Sequence, residues 1–141
     1  MKYYLAYGSN LNKKQMQMRC PGAKCIGTMV LKGYELLFKG PLTIEKKKGA
    51  KVPLGIWEVN ESHEKALDRY EGFPVLYYKK EVSIPGGKKG FVYIMDENRP
   101  IRVPTEHYYD VCAKGYEDFD FDTKYLEDAL KKSLKVCAYE K

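Results

Sequence analysis

The alternation of apolar and polar positions opens with Lys2 to Tyr7, an aromatic and aliphatic run that predicts a buried strand. It breaks at Gly8-Ser9-Asn10. Polar positions at helical spacing then run from Leu11 to Arg19, with Leu11, Met16, Met18 and Cys20 as the apolar ones, and Cys20-Pro21-Gly22 ends them. The expected unit is strand, tight turn and short helix: Gly8 supplies a positive φ and room for another backbone or a ligand to approach closely, and Ser9 or Asn10 supplies the cap. Lys24 to Leu31 and Tyr34 to Phe38 read as two strands joined by a hairpin at Lys32-Gly33. Leu42 to Ile44 continues the sheet before a lysine-rich turn at Glu45 to Gly49, and Val52 to Val59 is a strand whose Pro53 belongs near its start or at an edge. Glu61 to Tyr70 predicts a helix capped by Asn60 or Ser62 and closed by Gly72, with Ala66, Leu67 and Tyr70 on one face. A second hairpin, Leu76 to Ile84 and Gly90 to Met95, turns about Pro85-Gly86-Gly87-Lys88. Asp96 to Pro104 is a polar linker, and helices from Thr105 to Lys114 and from Lys124 to Val136 follow. Strands interspersed with helices and joined by hairpins imply a mixed sheet. The expected fold class is therefore α+β, in a single domain over residues 1–141.

Composition narrows the function. A chain of 141 residues with a hydrophobic fraction of 44% can bury a real core. No apolar run approaches the roughly 18 residues of a membrane span, and the N-terminus lacks a signal peptide's pattern, so the expectation is a soluble, cytoplasmic protein with no membrane partner. Cys20, Cys25, Cys112 and Cys137 form no CxxC pair and only His63 and His107 accompany them, which argues for free thiols and against structural zinc. The net charge of +6 comes from scattered lysines, densest in a turn, and a solvated loop rather than a nucleic-acid surface is expected. Thirteen tyrosines against five phenylalanines suggest a core and cleft lined with rings that carry hydroxyl groups. Nothing in the sequence sets the oligomeric state.

Two places carry chemistry. The amides of the Gly8-Ser9-Asn10 turn, at the positive end of a helix, suit a carboxylate, a phosphate or a developing oxyanion; taken alone, the same residues equally describe a well-capped turn with no ligand. Glu71 falls at a helix C-terminus, where the helix dipole disfavours a carboxylate and raises its proton affinity. Ser9 has no histidine partner in sequence, and no cysteine is placed as a nucleophile. His63, in the first turn of its helix, reads as a surface residue.

Tyr7-Gly8-Ser9-Asn10-Leu11, together with Leu67-Asp68-Arg69-Tyr70-Glu71-Gly72-Phe73-Pro74 and Tyr77, resembles the gamma-glutamylcyclotransferase family, including its small AIG2-like members. Met18 to Pro21, Ile56 to Val59, and Tyr108 with Gly115 stand where that family has similar features. The resemblance implies a small mixed β-barrel or sheet flanked by helices, with the turn and Glu71 facing each other across one cavity. It also implies the conversion of a small-molecule gamma-glutamyl amino acid, peptide or amine to 5-oxoproline with release of the amine, using neither metal nor cofactor. On that footing Gly8, Ser9 and Asn10 hold the substrate's α-carboxylate and Glu71 is the general acid/base. Tyr77 donates a hydrogen bond to the oxyanion or the carboxylate; Tyr7 and Leu11 complete the substrate-binding set, Leu11 also anchoring its helix. The same cavity would equally serve a non-catalytic module that binds an anionic metabolite or a gamma-glutamyl group. Lys39 to Lys51 and Asp96 to Pro104 are the expected cavity covers, and Tyr116 to Asp122 is either a cover or a linker.

Overall fold

The structure is a computed structural model and describes residues 1–139. Five strands, β1 (Lys2–Ala6), β2 (Lys24–Phe38), β3 (Leu42–Val59), β4 (Tyr77–Ile84) and β5 (Lys88–Met95), form one sheet in the order β2-β3-β1-β5-β4. Helices α1 (Lys13–Arg19), α2 (Glu61–Glu71), α3 (Glu106–Asp118) and α4 (Lys124–Tyr139) accompany it. Among the five strands of the described residues only the β1–β5 pairing is parallel, so the sheet is mixed and the fold is α+β. β1 is central and shows no polar alternation at Tyr4, Leu5 and Ala6, because both of its faces are covered. At its C-terminal end the chain leaves the sheet into a 3-10 turn, Ser9–Leu11.

The first hairpin does not turn at Lys32-Gly33. β2 and β3 pair continuously up to Phe38↔Leu42, so the reversal is at 39–41, and Gly33 (φ 83°) sits at a bulge between Lys32 and Tyr34. The lysine run expected as a turn lies inside β3, where Lys32 pairs with Lys51 but Tyr34 with Lys46. A left-handed glycine serves a bulge as well as a hairpin turn. Continuing the ladder keeps Leu36, Phe38, Leu42 and Ile44 buried, which a turn at Gly33 would not. Pro53 is opposite Val30, two residues beyond the last β1 partner, Gly55, where the ladder on the β1 side has already ended.

Two glycines let the layers close on the turn. A Cβ on Gly115 of α3 would lie 2.6 Å from the Asn12 nitrogen, and one on Gly55 would lie 2.6 Å from the Phe119 ring and 2.7 Å from Leu11 Cδ2. The fully buried Leu11 is therefore held between α3 and β3. Tyr116 to Asp122 is neither lid nor linker. Tyr116 is buried in α3 and donates a hydrogen bond to the Tyr7 carbonyl at 2.9 Å, while Phe119 and Phe121 pack edge to face on Trp57 and Tyr116. His63 is likewise interior: its Nδ1 accepts from the Asn60 N–H, which leaves Nε2–H to donate to the Pro21 carbonyl at 2.6 Å. The 96–104 linker is tied to the first hairpin by Gly40 N–H to Arg102 O and Arg102 N–H to Phe38 O, both 3.1 Å. Among the described residues no helix is long and apolar enough to cross a membrane.

Candidate functional site

A cavity of about 230 Å³ lies between the end of β1 and the end of α2, lined by Tyr4, Tyr7, Gly8, Ser9, Asn10, Pro41, Leu42, Tyr70, Glu71, Leu76, Tyr77, Tyr93 and Tyr108. Six of the thirteen tyrosines of the chain face it, the ring-lined cleft expected from composition. The two motifs, far apart in sequence, share this one wall. Leu11 does not, because its side chain points into the packing beneath.

The turn differs from expectation in two details. Gly8 has φ −131°, so its role is space: a Cβ there would meet Leu42 Cδ1 at 3.3 Å and the Tyr108 hydroxyl at 3.4 Å. The cap of α1 is Asn12, whose Oδ1 accepts from the Gln15 N–H at 3.0 Å, leaving Ser9 and Asn10 for other partners. Leu11 N–H to Gly8 O and Asn12 N–H to Ser9 O close the 3-10 turn at 3.0 Å each, and among the described residues no acceptor meets the N–H groups of Gly8, Ser9 and Asn10. Ser9 Oγ shares a 2.9 Å hydrogen bond with the Tyr70 hydroxyl. Asn10 Oδ1 accepts from Arg19, its Nδ2 donates to the Tyr4 hydroxyl at 3.0 Å, and its carbonyl accepts from Trp57 Nε1 at 3.1 Å.

Glu71 is the last residue of α2. Gly72 stops the helix there in the left-handed region (φ 64°), with the Phe73 N–H returning to the Asp68 carbonyl at 2.9 Å. Among the described residues no hydrogen-bond donor meets the Glu71 carboxylate. Burial pushes its pKa up to about 7, against the partial counter-effect of the Arg19 guanidinium. Loss of water is therefore the main cause, rather than the helix dipole invoked from sequence. Arg19 lies 3.4 Å from the centre of the Tyr70 ring, a cation–π stack that sets its charge against a ring of the cavity wall.

The tyrosine hydroxyls divide by where their protons go. Tyr77 donates to the Leu42 carbonyl at 2.7 Å, Tyr7 to the Tyr93 carbonyl at 2.7 Å, and Tyr93 to Asp68 Oδ1 at 2.6 Å. Tyr77 is thus in the wall as expected, but its one proton is engaged by backbone and does not face the cavity as a free donor. Tyr108 accepts from the Leu42 N–H at 3.0 Å. Sequence reasoning missed Tyr4, Tyr93 and Tyr108 as wall residues and Arg19 as the charge stacked on Tyr70, and placed Tyr70 on an apolar helix face, although Tyr70 is 44% exposed. The excess of tyrosine was the available signal. Strand periodicity pointed the wrong way, since Tyr4 and Tyr7 differ by an odd number of positions and belong on opposite faces until the strand ends. Among the described residues no three His, Cys, Asp or Glu side chains converge as metal ligands.

The profile of the family described as "Gamma-glutamyl cyclotransferase, AIG2-like" matches residues 4–110. The chain belongs to that family. The matched region contains the turn, Glu71 and every residue of the cavity wall. No curated protein matches the chain. A solved structure named gamma-glutamyl cyclotransferase superimposes with a TM-score of 0.78 at 26% identity, over 91% of this chain and 85% of that one. YkqA from Bacillus subtilis shares the fold with a TM-score of 0.73 at 20% identity, over 94% of this chain and 54% of its own. An AIG2-like protein from Mus musculus does so at 0.58 and 24% identity, over 71% of this chain and 80% of its own. Gamma-glutamyl cyclotransferase family membership and fold are thus established together.

Proposed function

We propose that the protein is a cofactor-independent cyclotransferase that closes a gamma-glutamyl compound to 5-oxoproline and releases the attached amine. The observation that carries the reading is a buried carboxyl group, pushed by loss of water to a pKa of about 7, on the same cavity wall as three amides that meet no acceptor among the described residues. The amides suit the substrate's α-carboxylate, beside the Arg19 charge. The α-amine enters mostly as an ammonium and cannot attack until it loses a proton, and Glu71 as carboxylate takes it. The nitrogen then bonds to the γ-carbonyl carbon and the π pair moves to oxygen. As that pair returns, the bond to the departing nitrogen breaks and Glu71 delivers the proton to it. A second proton follows from the ring nitrogen by the same carboxyl, so the lactam keeps one hydrogen, the amine leaves as an ammonium, and Glu71 ends as it began.

Ring closure is intramolecular, so holding the glutamyl chain curled removes much of the barrier and few side chains are required. The cavity of about 230 Å³ is smaller than the ~300 Å³ at which pockets for drug-sized ligands begin. A glutamyl head suits that volume, with the departing amine directed to the mouth.

The test is incubation of purified protein with a panel of gamma-glutamyl amino acids and gamma-glutamyl-lysine, with 5-oxoproline as readout. Glu71→Gln is expected to lower the rate about 100-fold or more while calorimetry still detects substrate binding. Product formation that survives Glu71→Gln overturns the mechanism; tight binding by wild type with no turnover on any panel member favours a non-catalytic binding module instead.

A further inference from the structure

We propose that Tyr4 is the hydrogen-bond donor to the γ-carbonyl oxygen during ring closure, and that Arg19 and Asn10 aim it. The assignment rests on the cyclotransferase reading and adds a catalytic residue and two positioning residues to it. A guanidinium can only donate, so the Asn10 atom that meets Arg19 is Oδ1, and this fixes which way the carboxamide points. The other end of the amide is then an NH₂. The atom 3.0 Å from it, the Tyr4 hydroxyl oxygen, must accept. A phenol has one proton, and among the described residues no acceptor receives that of Tyr4, although the side chain is 4% exposed and lines the cavity.

Most of the other cavity phenols have their protons engaged. Tyr7, Tyr77 and Tyr93 donate to protein acceptors, and Tyr108 accepts from the Leu42 N–H. Tyr70 and Ser9 share one hydrogen bond, with Tyr70 half-exposed. Of the two wall phenols that accept without donating among the described residues, Tyr108 is only partly buried and Tyr4 is the fully buried one. Its position opposite Asn10 also places it on the wall that carries the anion-binding turn. When the π pair moves to the carbonyl oxygen, the Tyr4 O–H shortens onto it without transferring its proton, and it relaxes when the pair returns to expel the amine. Burial holds this phenol well above its ordinary pKa, so it stays a donor rather than ionising. The chain Arg19 to Asn10 to Tyr4 polarises in one direction, each link strengthening the next.

The experiment compares Tyr4→Phe and Tyr77→Phe with wild type and Glu71→Gln in the 5-oxoproline assay. Loss of one oxyanion donor predicts a fall in kcat of about 100-fold or more for Tyr4→Phe, with KM within about threefold of wild type. Tyr77→Phe, which loses only a backbone anchor, is expected to change kcat less than Tyr4→Phe does. Replacing Tyr4 by 3-fluorotyrosine keeps the ring's shape and strengthens the donor, so kcat should match or exceed wild type; this variant decides the matter if Tyr4→Phe folds poorly. A Tyr4→Phe kcat within threefold of wild type, or a fluorotyrosine kcat as low as that of Tyr4→Phe, overturns the assignment alone. Absence of turnover by wild type overturns the cyclotransferase reading and the assignment with it.

Discussion

An ionised carboxylate kept from water should weaken the fold that holds it, and Glu71 allows this to be measured apart from catalysis. Its pKa in the folded protein is about 7 against an ordinary 4.5. Between those values the native state holds a proton that the unfolded chain has lost. Stability depends on pH as the difference in protons bound by the unfolded and native states, so here it falls as pH rises. The stabilisation is fully present below pH about 4.5 and is lost as pH passes through about 7. At ~1.4 kcal/mol for each tenfold change in proton affinity, the whole span is about 3 kcal/mol, of which about 2.5 kcal/mol falls between pH 5 and pH 8. Glu71→Gln cannot titrate and lacks this slope. Urea unfolding of wild type and Glu71→Gln across that range should therefore show the variant gaining about 2.5 kcal/mol relative to wild type. Any constant offset from the new amide cancels in the difference. A difference independent of pH would refute the argument, because it would mean that the carboxyl is as well solvated folded as unfolded.

Three further outcomes follow. The kcat/KM of wild type should fall about tenfold per pH unit below pH about 7, since the free enzyme needs Glu71 ionised, and a flat profile from pH 5 to pH 8 would count against it. Arg19→Met removes the one charge that opposes the rise in the Glu71 pKa and should move that acid limb to higher pH, whereas Arg19→Lys should move it less; an unshifted limb in Arg19→Met would refute the coupling. Gly115→Ala puts a methyl 2.6 Å from the Asn12 backbone nitrogen and 2.8 Å from the Leu11 carbonyl carbon, neither able to swing aside, so it should destabilise by at least the ~1–3 kcal/mol typical of overpacking. A loss under about 0.5 kcal/mol on urea titration would show that α3 can shift away from the turn.

Local rules read much of the frame. The Lys2 to Tyr7 strand, the helix ending beside Glu71, the 77–95 hairpin and the last two helices fall close to expectation, because each is bounded by glycine, proline or a capping residue. The long β2–β3 hairpin was misread because the choice between a bulge and a turn at Gly33 depends on which residues the distant core needs buried. The site was legible only as two motifs. Burial of Glu71 and the proton bookkeeping of six phenols are properties of the assembled wall, and no spacing in the chain states them. The role expected for Tyr77 changed for the same reason, since its acceptor is a main-chain carbonyl contributed from across the sheet.

That acceptor belongs to Leu42, whose carbonyl receives the Tyr77 hydroxyl and lies 3.4 Å from that of Tyr7, and whose N–H meets Tyr108. The main chain of one residue at the start of β3 therefore tethers Tyr77 of β4 and Tyr108 of α3, with the Tyr7 hydroxyl beside them. Because the tether is main chain, another apolar side chain of similar volume at this buried position would leave these hydrogen bonds in place. Proline, which has no amide hydrogen, or a residue gained or lost in the preceding turn, would instead unseat them together.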